Sequence, residues 1–114
     1  MQLTPFHLAI QVRDINEARD FYGNKMGLPE GRSSTDWIDF NLFGHQLVTH
    51  VNPQLGKEGK IASIANGVDG HGVPVPHFGV VLNFDDWEAL AETVTQCVDY
   101  FIIESYIRFT GQPG

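Results

Sequence analysis

The sequence predicts an α+β domain built from a βαβββ unit followed by an incomplete second copy of it. Two observations carry this. FHLAIQV (residues 6–12) and HFGVVLNF (77–84) both alternate apolar and other residues, as half-buried strands do. Each leads into a segment with helical periodicity that opens on an aspartate with a glutamate three positions later, Asp14 with Glu17 and Asp85 with Glu88. His7 and His77 are 70 positions apart and the two helix starts 71, so one inserted residue relates the copies.

In the first strand, residues 5–12, Phe6, Leu8, Ile10 and Val12 share one face, and His7, Ala9 and Gln11 share the other. The helix that follows carries Ile15, Ala18, Tyr22 and Met26 at helical spacing, widened by Phe21. Gly27 ends it and Pro29 marks the exit. Residues 28–34 are ambiguous between a loop and a short edge strand. TDWIDFNLF (35–43) alternates again, with Ile38, Phe40 and Leu42 opposite Trp37, Asp39 and Asn41. Gly44 turns the chain into HQLVTHV (45–51), where Gln46, Val48 and His50 share a face. Residues 1–51 thus form the first module. Residues 52–74, rich in Gly, Asn, Asp and Lys, are expected to be a long connector able to act as a lid. Residues 75–114 form the second module: a strand over 75–84, a helix with Trp87, Leu90, Ala91, Val94 and Val98 in a stripe, and a strand over 99–109. Nothing after it corresponds to the strands at 35–51. That predicts an unpaired sheet edge, best covered by a homodimer that shares or exchanges strands.

The bulk properties exclude several classes. A chain of 114 residues, 42% hydrophobic and 18% charged, is one globular domain. A formal net charge of −7 argues against nucleic acid or an anionic membrane as partner. The single cysteine, Cys97, precludes an intrachain disulfide and suits a reducing cytoplasm. The N-terminus lacks the pattern of a signal peptide, and no apolar run approaches the length of a membrane span.

The histidines carry the functional reading. A lone histidine on a strand is usually hydrogen-bonded scaffolding. Here the helices cover the apolar faces, so His7 and His77 point away from them, from equivalent places in related units. An internal pseudo-twofold would bring the two together as an incipient divalent-metal site. No carboxylate offers itself strongly as a third ligand; Glu104 is one option, and His45 and His71 read as solvent-exposed. Gln11, Trp37, Asp39, Asn41, Gln46 and Val48 read as the wall of a ligand pocket, with Trp37 equally able to cap a core edge. Cys97 reads as buried and inert, and Asp85 with Asp86 as helix-start chemistry. P-loop, GxGxxG, GxSxG and CxxC motifs are all absent from the sequence.

HLAIQVRDINEARDFYGNKMGL, DWIDFNLFGHQLVTHV and HFGVVLNFDDWEAL together resemble the vicinal oxygen chelate superfamily, which includes glyoxalase I, bleomycin- and fosfomycin-resistance proteins and extradiol dioxygenases. The resemblance runs over nearly the whole chain. It implies paired βαβββ modules curling into an open, cup-shaped mixed sheet. It implies a divalent metal (Fe, Mn, Zn or Ni) held by His7 and His77. A further ligand would come from Gln46, Val48 or His50, with His50 taken as that ligand. Similar chains continue into a hairpin bearing a glutamate ligand that this sequence does not reach. The function implied is Lewis-acid chemistry, of lyase or oxidoreductase type, on a small substrate with vicinal oxygens. The alternative is a non-catalytic dimer that sequesters a small molecule such as a drug.

Overall fold

The computed structural model describes residues 2–107. The chain is α+β, with a four-stranded mixed sheet, a separate two-stranded sheet and a long helix late in the chain. Its described residues divide into two compact units, 2–62 with 78–81, and 63–77 with 82–107. Among the described residues no helix is long and apolar enough to cross a membrane.

In the first unit, β1 (His7–Val12) leads into α1 (Ile15–Ala18), which continues as a π-helix over Arg19–Lys25. Then come β2 (Glu30–Ser33), β3 (Trp37–Leu42) and β4 (His45–Val51), giving the sheet order β1-β4-β3-β2. β1 and β4 run parallel; the other neighbours are antiparallel. Asp14 caps α1 as its spacing predicts, accepting from the Glu17 N–H at 2.7 Å. The wider π turns close with the Met26 N–H on the Phe21 carbonyl, at 2.9 Å. Ile15, Tyr22 and Met26 pack on a buried cluster of Leu28, Ile38, Phe40, Leu42 and Leu47, and Ala18 is itself buried. Leu8, Ile10 and Val80 join them. The core therefore lies on the face the alternation assigns to it. Buried Thr49 is satisfied by the Ile38 carbonyl at 3.3 Å.

The 57–59 loop is fastened to the end of β1. The Arg13 guanidinium holds Glu17 (Nη2 to Oε2, 2.8 Å) and donates to the Lys57 carbonyl. Gly59, at φ +63°, lies where an added Cβ would stand 2.9 Å from Arg13 Cδ. Gly59→Ala is therefore expected to destabilise this unit by roughly 1–2 kcal/mol from the left-handed backbone alone. Urea denaturation checks it, and a shift under about 0.5 kcal/mol would count against it.

In the second unit, β5 (Ile64–Val68) and β6 (His71–Val75) form an antiparallel hairpin, and α2 spans Phe84–Cys97. Four expectations are corrected here. The 52–74 segment is not an element-free connector: it holds a 3₁₀ turn at Pro53–Leu55, β5 and most of β6. Asp69 and Gly70, at φ 49° and 78°, make the two-residue turn that Asp-Gly favours between strands. Residues 76–83 are not a strand; Pro74 and Pro76 remove two donors from one side of it, and among the described residues nothing pairs with it. The apolar face expected at 78–84 is covered only in part: Val80 packs on the core cluster and Leu82 is half-buried, but Phe78 is 45% and Phe84 56% exposed. The described part of the 99–109 strand, 99–107, is also irregular, and its last two residues lie outside the described range. α2 is capped by Asn83, whose Oδ1 accepts from the Asp86 N–H at 2.9 Å, rather than by Asp85.

Candidate functional site

The register assembles all but one of the sequence-predicted site residues on one face of the first sheet. Across β1, β4 and β3, His7 lies beside Gln46 and Asn41, Ala9 beside Val48 and Asp39, and Gln11 beside His50 and Trp37. This is the face opposite the core. It is not uniformly open, because Asp39 and Val48 are buried. His50 is four positions from Gln46 on β4, so it stands roughly 13 Å along the strands from His7. Gln46 is the β4 candidate that meets His7.

A chain of polar contacts crosses this face. His7 Nδ1 lies 2.8 Å from Gln46 Oε1. Gln46 Nε2 donates to Asp39 Oδ2 at 3.1 Å. Arg32 Nε stands 3.7 Å from the same carboxylate oxygen. Direction follows from these partners. A carboxylate only accepts, so the amide must turn its NH₂ to Asp39 and its oxygen to His7. His7 therefore donates through Nδ1–H, and Nε2 is the nitrogen turned away from Gln46. Gln46→Leu is expected to release this tautomer, seen as a change in the His7 ring ¹⁵N shifts; unchanged shifts would contradict the assignment.

The flanking amides are tethered as well. Gln11 Oε1 accepts from Asn52 Nδ2 at 2.6 Å, and Asn41 Oδ1 accepts from the Gly44 N–H at 2.7 Å. A cleft of about 380 Å³ borders the His7 end of the face, lined by Glu30, Gly31, Asp39, Asn41, His45 and Gln46 among others. That size is within the range of small-molecule pockets. Gly31 lies close over buried Asp39: an added Cβ there would sit 3.4 Å from the Asp39 Cβ. His45 is tied down, accepting from the Phe6 N–H at 3.0 Å and packing on the Phe6 ring. A second cleft, of about 310 Å³, lies at the other end of β1 between Gln11, Arg13, Glu17, Tyr22 and Glu58. There Glu17 pushes the Arg13 pKa up, chiefly by hydrogen bonding, and burial pushes the Tyr22 phenol up.

His77 belongs to the second unit. Its Nδ1 lies 2.7 Å from the Pro74 carbonyl, which only accepts, so this ring too donates through Nδ1–H. His71 stacks near Tyr106, with ring centroids 5.4 Å apart. Among the described residues no three of His, Cys, Asp and Glu gather as a metal-binding set. Sequence reasoning missed Arg32, Gly31 and Asn52, because their roles depend on strand pairing rather than on local pattern.

The family described as Glyoxalase/Bleomycin resistance protein/Dioxygenase superfamily matches residues 4–100. A crystal structure of a glyoxalase/bleomycin resistance protein/dioxygenase from Alicyclobacillus acidocaldarius is similar, at 30% identity and a TM-score of 0.61. The match covers 81% of this chain and 61% of that one, so this chain spans less than two thirds of its length. No curated protein matches the sequence.

Proposed function

Because the chain belongs to the glyoxalase/bleomycin resistance protein/dioxygenase superfamily, we propose that it binds a small molecule with adjacent oxygens at the polar face of its four-stranded sheet, with a divalent metal held through His7. The observation that supports this most is the His7–Gln46–Asp39–Arg32 chain. It holds the imidazole by Nδ1–H and so turns Nε2 away from Gln46, the nitrogen a metal would take. His77 enters only through the resemblance, as a further nitrogen donor; its Nδ1–H meets the Pro74 carbonyl. Imidazole nitrogen suits Fe, Zn or Ni, and Mn calls for oxygen ligands beside it. A divalent metal bound there supplies Lewis acidity toward a substrate oxygen. Gln46 orients His7, Asp39 anchors Gln46, and Arg32 offsets the charge of buried Asp39. Titration of the full chain with Zn²⁺, Mn²⁺ and Ni²⁺ by calorimetry tests this. Saturable binding of one metal per chain is expected; no binding of any of them sinks the reading.

A second reading, sequestration of a small organic cation without chemistry, is favoured by half-buried Trp37 on the same face. Quenching of Trp37 by a cationic drug in metal-free protein supports it, and quenching only after metal loading favours the first. For partners, we read β1 as the route to a homodimer: it is an end strand among the described residues, with its far side unpaired. A monomer by sedimentation equilibrium would remove that reading. The lone Cys97 fits a reducing cytoplasm as the compartment.

A further inference from the structure

The charge of this chain is divided unevenly. The stretch 61–107 holds half of its 14 Asp and Glu residues and none of its 7 Lys and Arg residues; the remaining cation beyond it, Arg108, lies outside the described residues. Almost the whole net charge of −7 thus falls on the second unit. That unit also has no buried residue among its described ones.

Its helix shows the consequence. α2 is 14 residues long and buries none of them fully: Trp87, Leu90, Ala91, Thr93, Val94 and Cys97 are half-buried and the rest are exposed. Helical spacing puts Phe84, Trp87, Ala91, Val94 and Val98 in one stripe, with Phe84 and Trp87 stacked at 5.7 Å. Asp85, Glu88 and Glu92, at i, i+3 and i+7, form an exposed row along one flank of it. The first-turn aspartates are favoured by the helix dipole, but that does not explain Glu92. No Lys or Arg of the described unit stands against the row.

We propose that α2 docks a cationic amphipathic helix of a partner protein. Its apolar side would lie on the Phe84–Val98 stripe and its Lys or Arg residues along Asp85, Glu88 and Glu92. Charge complementarity selects this occupant over a second copy. A twofold antiparallel pair of α2 helices would set each acidic flank against its own copy, placing like charges together.

The test uses the full chain and two dye-labelled 18-residue peptides with the same leucine stripe, one with lysine and one with glutamate on its polar side. Fluorescence anisotropy is expected to show binding of the lysine peptide at least tenfold tighter than the glutamate peptide. Glu88→Gln with Glu92→Gln should weaken the lysine peptide at least tenfold, and added salt should weaken it too. The control Glu58→Gln, a carboxylate of the first unit, should change it less than twofold. Equal affinity for both peptides, no binding of either, or equal loss with Glu58→Gln each overturns the proposal. So does a concentration-dependent dimer of the free chain that Trp87→Ala abolishes.

Discussion

Phe40→Ala is expected to destabilise the first unit by about 3–5 kcal/mol, the range for removing a large aromatic from a packed core. Phe40 is 1% exposed at the centre of the buried cluster. Leu47 is its partner across β3 and β4, and the Tyr22 ring lies against it with centroids 5.6 Å apart. Gly23 approaches the ring so closely that an added Cβ would stand 3.6 Å from it. Neighbours on two sides of the sheet–helix interface are therefore fixed by the same ring, and backbone collapse cannot fill the void. A small domain has about 5–15 kcal/mol in total, so the loss removes a large share of the stability and lowers the denaturation midpoint. Chemical denaturation with an unchanged slope measures the loss. Val81→Ala, at a fully exposed position, is the matched control and should stay within about 0.5 kcal/mol. A Phe40→Ala loss no larger than the control's would mean the cluster is not the core.

His7→Ala is expected to abolish the divalent-metal binding proposed above. Removing a ligand must weaken binding by more than the roughly 10–100-fold that follows from losing a ligand's hydrogen-bond partner. Gln46→Leu provides that smaller effect, since it leaves Nε2 in place and frees only the tautomer. His50→Ala should fall below both, given its distance from His7 along the ladder. The order His7, Gln46, His50 is what separates a metal held at the His7 end of the face from one held elsewhere. His7 is an exposed strand residue with its apolar neighbours on the other face, so the substitution should not unfold the unit; circular dichroism checks that. Retention of wild-type metal affinity in His7→Ala would remove His7 from the site.

The first unit was legible because each signal in it is local and agrees with its neighbours. Phe6 through Val12 and Trp37 through Leu42 alternate with period two, Asp14 caps a helix, and Gly44 closes a hairpin. These patterns also divide core from polar face, so His7, Gln46 and Asp39 could be put on one surface without coordinates. Their mutual distances could not. Those depend on β1 running parallel to β4 in one register, a pairing about 39 residues apart in sequence that no local pattern encodes. Arg32 was hidden for the same reason. The second unit misled because alternation is necessary for a strand but not sufficient. Residues 77–84 have the period, yet the prolines at 74 and 76 and the lack of a pairing neighbour leave them irregular. The Asp69–Gly70 signal for a hairpin was present and was outweighed by the surrounding loop-like composition.

The division into two units bears on how folding can be observed at all. The chain has two tryptophans, and they fall one to each unit: Trp37 on β3, and Trp87 on α2. A protein whose parts differ so much in burial need not melt as one, and then no single unfolding free energy describes it. Nature has placed a separate optical reporter in each part. Spectra of Trp37→Phe and Trp87→Phe would each follow one half under matched conditions; coincident midpoints would show the halves melting as one, and separate midpoints would show them melting apart.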